Sequence, residues 1–347
     1  MNNYFCVLPW YSQELGLWNT PCCLLPQKYN IDQIKQDLLD NIPTVACKKC
    51  WDVESTGNKS RRQFENEFLD YKLDRDLDKI QQDCADSNHQ TILYQITTSN
   101  LCNQACVSCD SKFSTKWAQV EKRMNLLPSP QYQIDLDTAN INYNSAKRIS
   151  LLGGEPLFDP KTFEILQKLI DHNNTDCFIS LVTNGSINLK TQQIALLTQF
   201  TDLNICISID GVGSVFEYMR WPGKWKDLLE NIEQYKSITK NISISYTISS
   251  LNAMYYNETV KWFQQNNLAY NHNVVSGPIW LSLKNMPVVL KQHLKQHNNF
   301  ITEYCNLTGT EIALNTLAQQ ITKQDQAKKT DIRDHMPEIA AVIFDNL

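Results

Sequence analysis

The sequence of 347 residues lacks the marks of several protein classes. It has no apolar run near the roughly 20 residues that a bilayer span requires, and Met1 to Trp10 lacks the positively charged start of a signal peptide. Basic residues are not in excess, since 32 Lys and Arg against 37 Asp and Glu give a formal net charge of -5 at pH 7. The sequence therefore predicts a cytoplasmic protein with no membrane and no nucleic-acid partner.

The rest of the composition is that of a soluble globular chain. Hydrophobic residues make up 42%, aromatic residues 10% and charged residues 20% of the sequence. No internal repeat is visible, and the length favours one large domain with an appendage over several equal modules.

Twelve cysteines depart from this ordinary composition. A reducing cytosol does not maintain stable disulfides, so metal or cluster ligation is the leading explanation for so many thiols. Four of them stand alone and are interpreted as core or surface thiols: Cys84, Cys177, Cys206 and Cys305. The other eight form two groups, which indicates two metal sites: Cys6, Cys22, Cys23, Cys47 and Cys50, and Cys102, Cys106 and Cys109.

The chain divides into three segments by its pattern. Residues 1–90 are irregular and rich in cysteine and proline, and they end in a charged stretch, Ser60 to Leu77, that is typical of a connector helix. Residues 91–277 alternate short apolar runs with amphipathic stretches, which predicts βα units around a parallel sheet. Residues 278–347 show a helical pattern without chemistry that the sequence identifies.

The central segment predicts an α/β fold with six strands in a barrel or open barrel. The expected strands are Leu93–Thr98, Arg148–Leu152, Cys177–Val182, Leu203–Ile209, Ile242–Ile248 and Tyr270–Val275. The expected helices between them are Phe163–His172, Thr191–Phe200, Trp225–Ile238 and Tyr255–Gln265. Further helices are expected after residue 277 at Val288–Phe300, Ile312–Ile321 and Ile339–Phe344.

The cysteine triplet Cys102-Asn-Gln-Ala-Cys106-Val-Ser-Cys109 comes directly after the first of these strands. Barrel-type folds hold their active sites at the carboxyl ends of strands. Three thiolates can hold one iron-sulfur cluster and leave one iron without a protein ligand, which makes a chemical site. The alternatives are a zinc loop or three buried thiols, but zinc fingers mostly pair two knuckles, and no second ligand pair lies near this triplet.

The triplet resembles the C-x-x-x-C-x-x-C signature of the radical S-adenosylmethionine (radical SAM) superfamily. Further motifs follow the next three strands in order and are similar to those of the same family. They are Gly153-Gly154-Glu155-Pro156, Thr183-Asn184-Gly185-Ser186, and Ser208-Ile-Asp210-Gly211 followed by Arg220. Each motif alone is a weak signal, whereas four in order, each at the end of a strand, are specific.

This resemblance implies a partial (β/α)6 barrel that binds a 4Fe-4S cluster and S-adenosylmethionine (SAM). The two glycines would let backbone carbonyls approach a ligand, and Glu155 would accept from an ammonium group. The segment Thr183 to Ser186 would line the ribose and methionine portion, and Arg220 would pair with the methionine carboxylate. In the family, cluster-bound SAM is cleaved reductively to a 5'-deoxyadenosyl radical. Many members carry an aromatic residue where this chain has Ser108, which leaves the adenine contact open.

The amino-terminal cysteines resemble the Twitch module, a shortened SPASM extension that holds an auxiliary iron-sulfur cluster, placed here before the barrel. Cys6, a cysteine pair and the Cys47-Lys-Lys-Cys50 knuckle supply enough thiols for one 2Fe-2S or 4Fe-4S cluster. Cys22 and Cys23 compete for one ligand position, and a closed zinc site is the alternative. Arg61 and Arg62 beside this segment are interpreted as part of a solvated helix.

The resemblance implies a radical SAM enzyme that modifies a ribosomally made peptide or protein. The narrower similarity is to cyanobacterial-type Twitch proteins, including spliceases that excise a tyramine unit, while epimerisation and crosslinking fit the same residues. Because cysteines occupy the first ninety residues, a separate small leader-binding protein is expected, together with a reductant such as flavodoxin or ferredoxin. Two alternatives stay open: a radical SAM dehydrogenase acting on an aminocyclitol or nucleoside, and a non-catalytic cluster- or zinc-binding interaction protein.

Overall fold

One parallel sheet organises the protein. The computed structural model describes residues 4–17, 19–22, 29–55, 57, 59–126, 134, 136–294 and 298–347. Within these residues a sheet of seven strands follows the order of the chain, and each strand pairs in parallel with the next. The strands are β1 Ser12–Leu15, β2 Leu93–Thr97, β3 Arg148–Leu152, β4 Phe178–Thr183, β5 Leu203–Ser208, β6 Asn241–Ile248 and β7 Ala269–Val274.

Helices surround this sheet and connect its strands. In the described part of the chain they are α1 Leu8–Tyr11, α2 Ile31–Leu39, α3 Lys48–Ser55, α4 Arg61–Leu73, α5 Leu77–Ala85, α6 Thr115–Arg123, α7 Pro160–Asp171, α8 Thr191–Leu197, α9 Ser214–Met219, α10 Trp225–Ile238, α11 Tyr256–Gln265, α12 Val288–Leu294, α13 Asn299–Asn306, α14 Leu314–Lys328, α15 Ile332–His335 and α16 Pro337–Phe344. Helices α6 to α11 lie between consecutive strands from β2 to β7, as parallel pairing requires.

The expected α/β class and all six expected strands are confirmed. The seventh strand, β1, was not expected, because Ser12–Leu15 is only four residues long and lies in the cysteine-rich segment. It pairs with β2 along Ser12–Leu93 to Leu15–Ile96. The amino-terminal segment therefore contributes a strand to the sheet of the central segment. The sheet is not closed, since β1 and β7 do not pair with each other in the part of the chain that the structure describes.

The two faces of the sheet differ in polarity because side chains alternate along each strand. Ile149, Ile179, Ile205 and Ile244 are fully buried on the outer face, beneath the connecting helices. The opposite face, called the inner face below, is polar. Strand register aligns one polar row across six strands: Glu14, Gln95, Ser150, Ser180, Asn204 and Asn241.

The amino-terminal segment packs on the inner face through α4. Arg61 donates to Gln95 Oε1 over 3.1 Å, and Glu65 pairs with Arg148 at 2.6 Å. The ring of Phe68 lies 5.7 Å from that of Phe178. Helix α4 thus covers the inner face at β2 to β4, and the inner positions of β5 to β7 stay half-buried or exposed: Asn204, Cys206, Ser208, Ser243, Ser245, Thr247, Ala269, Asn271 and Asn273.

The expected connector helix at Ser60–Leu77 corresponds to α4, and a second helix, α5, begins at Leu77. Ser60 caps α4 with a reciprocal capping box with Gln63, and α4 ends at Asp74, whose φ of 51° is left-handed. Arg62 is buried, with Nη1 donating to the Phe5 carbonyl over 2.8 Å. The interpretation of Arg61 and Arg62 as part of a solvated helix is therefore wrong: the helix is an internal support, and both side chains carry polar contacts to other segments.

The carboxyl-terminal segment, expected as a helical extension, shares the main core. Leu290, Ile301, Leu317 and Ile339 are fully buried in the same hydrophobic cluster as the outer face of the sheet. The expected helix at Val288–Phe300 corresponds to α12 and α13, with residues 295–297 outside the described residues. Helix α14 packs against α6, the helix that follows the cysteine triplet. This packing brings residues that are two hundred positions apart in sequence to the same site.

Candidate functional site

The cysteine triplet lies in a loop that other parts of the protein hold in place. The loop follows β2, and its nitrogens at Ala105 and Val107 donate to the carbonyls of Trp221 and Met219 over 2.7 and 2.8 Å. The indole Nε1 of Trp117 donates to the Cys106 carbonyl over 2.7 Å. These bonds connect the loop to the segment at Met219–Trp221 and to α6, and they fix its backbone beside the sheet.

Residues from the ends of four strands line one cavity of about 660 Å³ beside this loop. Cys102, Cys106 and Cys109 all line it. Six other residues that the sequence predicted line it too: Gly153, Gly154, Thr183, Asn184, Ser208 and Arg220. Glu155, Pro156, Ser186 and Asp210 do not line the cavity, and three of them, Glu155, Ser186 and Asp210, contact residues that do. The sequence motifs therefore separate into a lining layer and a supporting layer.

Cys102 is buried and Cys106 and Cys109 are half-buried, and this burial disfavours their charged forms. Burial raises the pKa of Cys102 to about 11, and repulsion from Cys106 adds to this effect. Burial also raises the pKa of Cys106 and of Cys109 above the ordinary thiol value. The thiolate forms of these three cysteines would repel one another. The triplet therefore suits a site with a cationic centre, because metal binding stabilises the thiolate.

The cysteine triplet fits an iron-sulfur cluster better than a single metal ion. Among the described residues, no three His, Cys, Asp or Glu side chains are placed to hold one metal ion. An iron-sulfur cluster needs a different arrangement, since each thiolate binds its own iron and the sulfurs stay apart. Three cysteines on one wall of a cavity of about 660 Å³ fit a cluster with a small ligand, because ligand pockets commonly measure roughly 300–1,000 Å³.

Gly153 and Gly154 allow the cysteine loop to approach β3. A Cβ on Gly154 would lie 2.4 Å from the Leu101 carbonyl oxygen, and one on Gly153, whose φ is +144°, would lie 2.7 Å from that of Ser99. The nitrogen of Gly154 donates to the Ser99 carbonyl over 2.8 Å. The sequence predicted that the glycines admit a ligand. The structure shows that their lack of a side chain lets the backbone of the cysteine loop pack closely against the end of β3.

Glu155 ties the end of β3 to the end of β4. Its Oε1 accepts from the nitrogen of Leu157 over 3.0 Å and from the hydroxyl of Thr183 over 2.7 Å. Its Oε2 accepts from the nitrogen of Asn184 over 2.6 Å. Burial raises the pKa of Glu155 to about 7, and the bonds from Asn184 and Thr183 oppose this rise. The contacts assign the carboxylate to the protein itself, and its expected role as acceptor of a ligand ammonium stays a prediction.

Asn184 is oriented towards the triplet by a small amide and hydroxyl network. Its Nδ2 donates to Asn103 Oδ1 over 2.9 Å and lies 3.9 Å from Cys102 Sγ. Ser186 donates to Asn184 Oδ1 over 2.6 Å and accepts from Asn103 Nδ2 over 2.8 Å. Ser186, predicted as a cofactor contact, therefore supports Asn184 from behind.

Asp210 and Arg220 form a buried ion pair beside the second cysteine. Arg220 Nε lies 2.8 Å from Asp210 Oδ2, and Arg220 Nη1 lies 3.8 Å from Cys106 Sγ. Asp210 Oδ1 also accepts from the nitrogen of Thr247 over 3.0 Å. Burial alone would lower the pKa of Arg220, but the neighbouring Asp210 and Cys106 raise it above the ordinary value, so Arg220 is a permanent cation at the cavity wall.

The amino-terminal cysteines form a second cluster of thiols. Cys6, Cys22, Cys47 and Cys50 line a small pocket of about 20 Å³, and Cys23 lies outside the described residues. Burial raises the pKa of Cys47 to about 12, with the Cys50 and Cys22 thiols adding to it. The structure thus brings Cys6, Cys22 and both cysteines of the Cys47–Cys50 knuckle to one pocket, and of the competing pair it describes Cys22 alone.

Sequence reasoning missed several residues at the first site. Besides the predicted residues, the cavity is lined by Gln104, Asp110, Phe113, Leu152, Val182, Gly277 and Pro278. Lys328, from α14, is 3% exposed and lies with its Nζ 4.6 Å from the centre of the Trp117 ring. Gln104 lies within the triplet and Phe113 lies four residues after it, so their proximity in sequence could have predicted a place at the site. No local pattern connects Lys328 with the triplet.

One family model matches within the central segment, and several solved structures share part of the fold. The model of the radical SAM superfamily matches residues 96–263. Among solved structures, native anSMEcpe with bound AdoMet is 18% identical over 54% of this chain and 53% of that chain, with a TM-score of 0.41. Streptococcus suis SuiB bound to S-adenosylmethionine is 14% identical over 68% of this chain and 52% of that chain, with a TM-score of 0.40.

A further solved structure is Streptococcus suis SuiB bound to precursor peptide SuiA, 13% identical over 80% of this chain and 64% of that chain, with a TM-score of 0.41. This chain spans about half the length of anSMEcpe and of the SAM-bound SuiB. No curated protein matches the chain. No helix of the described residues is long and apolar enough to cross a bilayer.

Proposed function

We propose that this chain is a radical SAM enzyme that cleaves S-adenosylmethionine reductively and modifies a ribosomally made peptide or protein, through the domain at residues 96–263 that matches the radical SAM superfamily. The observation that carries the proposal is the single cavity lined by the cysteine triplet, Gly153, Thr183, Asn184 and Arg220. When bound, a 4Fe-4S cluster and SAM supply a 5'-deoxyadenosyl radical that abstracts hydrogen. The cytoplasmic location expected from the sequence belongs to the same proposal.

The residues of the cavity have distinct parts in this proposal. Cys102, Cys106 and Cys109 would hold the cluster. Arg220, kept charged by Asp210, offers donors to the carboxylate of the ligand. Glu155 holds Thr183 and Asn184 in place without entering the cavity. The apolar outer face and its helices keep bulk water from the back of the sheet.

The inner face supports a peptide substrate over a small molecule. Helix α4 covers this face at β2 to β4, whereas the inner positions of β5 to β7 stay half-buried or exposed and include Ser208, which lines the cavity. The uncovered positions are mostly hydroxyls and amides, such as Ser245, Thr247 and Asn273, which can bond with peptide groups. An aminocyclitol or nucleoside enzyme would enclose its substrate instead.

The second thiol group belongs to the same proposal as an auxiliary iron-sulfur site of the Twitch type. One pocket is lined by four of these thiols, Cys6, Cys22, Cys47 and Cys50, and by Arg62. The positive charge of Arg62 favours the thiolate form of Cys47. The cluster of this site would bind substrate or accept an electron during the reaction. A 2Fe-2S cluster, a 4Fe-4S cluster and zinc differ in iron and sulfide content, so chemical analysis separates them.

The proposal includes three partners: a precursor peptide, a small protein that binds its leader, and a reductant such as flavodoxin or ferredoxin. Within this class, tyramine excision, epimerisation and crosslinking are equally compatible with these residues, and the reaction product distinguishes them. Tight leader binding by this chain alone would remove the need for the separate leader-binding protein.

Mass spectrometry tests the proposal. The reconstituted protein is incubated without oxygen with SAM, a reductant and a precursor peptide encoded near its gene, and 5'-deoxyadenosine is measured in the same samples. A peptide mass change with deoxyadenosine is expected, and deuterated solvent reveals a mass-neutral epimerisation. Cys106→Ala should abolish both products, and Cys305→Ala is the matched control, since Cys305 is a buried thiol outside both sites. Deoxyadenosine without any peptide change, even with the partner protein present, would contradict the peptide substrate.

A further inference from the structure

The carboxyl-terminal helix α14 places a lysine next to the cysteine triplet. Lys328 is 3% exposed, and its Nζ donates to Gln324 Oε1 over 2.9 Å. The ammonium lies 4.6 Å from the centre of the Trp117 ring, and the same indole donates to the Cys106 carbonyl over 2.7 Å. Lysine, indole and the second cysteine therefore form one continuous set of contacts.

Two contacts between α14 and α6 keep this arrangement in place. Arg123, at the end of α6, donates to the Ala327 carbonyl over 3.2 Å. Ala327 packs in a small apolar cluster with Ala105, Trp117 and Val120, against which Cys109 also lies. The lysine is thus held by packing on both sides, and its position does not depend on a flexible surface loop.

A buried ammonium is costly unless a negative charge is close. Asp325, one turn earlier on α14, is already the acceptor for the Tyr218 hydroxyl at 2.9 Å and for the Ile332 nitrogen at 3.0 Å. The Trp117 ring and the Gln324 amide are neutral, so they offset only part of the desolvation cost. The other negative charges that act on Lys328 are those of Cys106 and Cys109 when these are thiolates.

We propose that Lys328 is the counter-charge of the iron-sulfur cluster held by Cys102, Cys106 and Cys109, and that it raises the reduction potential of this cluster. The inference rests on the proposed function, because it presumes a cluster at the triplet. A cluster with three thiolate ligands is a net anion, and reduction by one electron adds negative charge that a nearby cation stabilises. Arg220 lies 3.8 Å from Cys106 Sγ. The triplet therefore has two buried cations near it, Arg220 and Lys328.

A redox titration followed by electron paramagnetic resonance tests the proposal on the full chain. Lys328→Gln should shift the midpoint of the signal that changes on addition of SAM to a more negative potential, at unchanged iron content. Lys328→Arg keeps the charge and should retain the wild-type midpoint. Lys323→Gln removes the same charge from the exposed face of α14 and should change nothing. An unchanged midpoint in Lys328→Gln, or an equal shift in Lys328→Arg, would overturn the proposal.

Unfolding of the cluster-free protein provides a second test that needs no loaded cluster. Without the cluster, Asp325 is the remaining negative charge that acts on the buried ammonium, and its carboxylate is already bonded to Tyr218 and Ile332, so Lys328→Gln should be more stable to urea than the wild type. In the loaded proteins this advantage should disappear or reverse. A variant that is less stable than the wild type without the cluster would show that Lys328 only packs the helix. A wild type that binds no cluster at the triplet would instead contradict the proposed function.

Discussion

The backbone nitrogen of Asn184 donates to Glu155 Oε2 over 2.6 Å, and this bond joins two motifs that are separate in sequence. The same carboxylate accepts from the hydroxyl of Thr183 and from the nitrogen of Leu157. The end of β4 is therefore positioned by a residue from the end of β3, and Asn184 in turn faces Cys102. One buried acceptor controls the relative placement of the cavity wall and the triplet.

Replacing Glu155 tests this role. Glu155→Ala leaves three buried donors without their acceptor, so we expect a loss of about 3 kcal/mol in the free energy of unfolding and weaker SAM binding. Urea unfolding and SAM titration measure the two effects. Glu164→Ala, on the exposed side of α7, is the matched control. Full stability in Glu155→Ala with SAM binding abolished would instead indicate a direct contact with the ligand.

Gly154→Ala tests the close approach of the cysteine loop to β3. Its Cβ would meet the Leu101 carbonyl at 2.4 Å, so the loop must move and the thiols with it. We expect a destabilisation of about 1–3 kcal/mol and a lower iron content after reconstitution. Gly277→Ala is the control, because Gly277 also lines the cavity and a Cβ there meets nothing within 4 Å. Normal iron loading in Gly154→Ala would show that the loop tolerates the shift.

Glu14 predicts a pH dependence of stability. Burial raises its pKa from 4.5 to about 7, and Thr20, Arg61 and Gln95 oppose this rise. Between about pH 4.5 and 7 the folded state therefore keeps a proton on Glu14 that the unfolded state releases. Because of this difference, the free energy of unfolding falls as the pH rises through that window. Glu14→Gln removes the effect, and its advantage over the wild type should grow to about 3 kcal/mol by neutral pH.

Urea unfolding at several pH values measures this difference between Glu14→Gln and the wild type. The control is Glu303→Gln, at an exposed position of α13. A constant difference across the pH range would mean that Glu14 stays ionised in the folded protein.

Metal analysis tests the amino-terminal thiols. Cys47→Ala should lower the iron and sulfide content of the reconstituted protein while the SAM-dependent signal of the triplet stays, because the two thiol groups line separate pockets. Cys177→Ala, another buried thiol, should leave both unchanged. If zinc falls instead of iron, the site is a closed zinc site and the auxiliary cluster is excluded.

Strands were predictable because their signals are local. The apolar runs of β2 to β7 alternate with amphipathic helices, so their positions and parallel order followed from periodicity and connection length. β1 was not predictable, since Ser12–Leu15 is four residues long and acquires its structure by pairing with Leu93–Ile96. The prediction for Arg62 was wrong for a related reason. A charged residue on a helix is expected in solvent, but Arg62 is buried because it donates to the Phe5 carbonyl, which is distant in sequence.

The sequence by itself determined the cysteine triplet, the three motifs after the following strands and their order, because spacing along the chain is what places side chains at successive strand ends. The tertiary structure alone decided which of those residues line the cavity and which support it. It also decided that Glu155 serves the protein backbone and that Lys328 lies beside Cys106 through Trp117. These relationships depend on packing between segments far apart in sequence, and such packing leaves no periodic or local pattern to read.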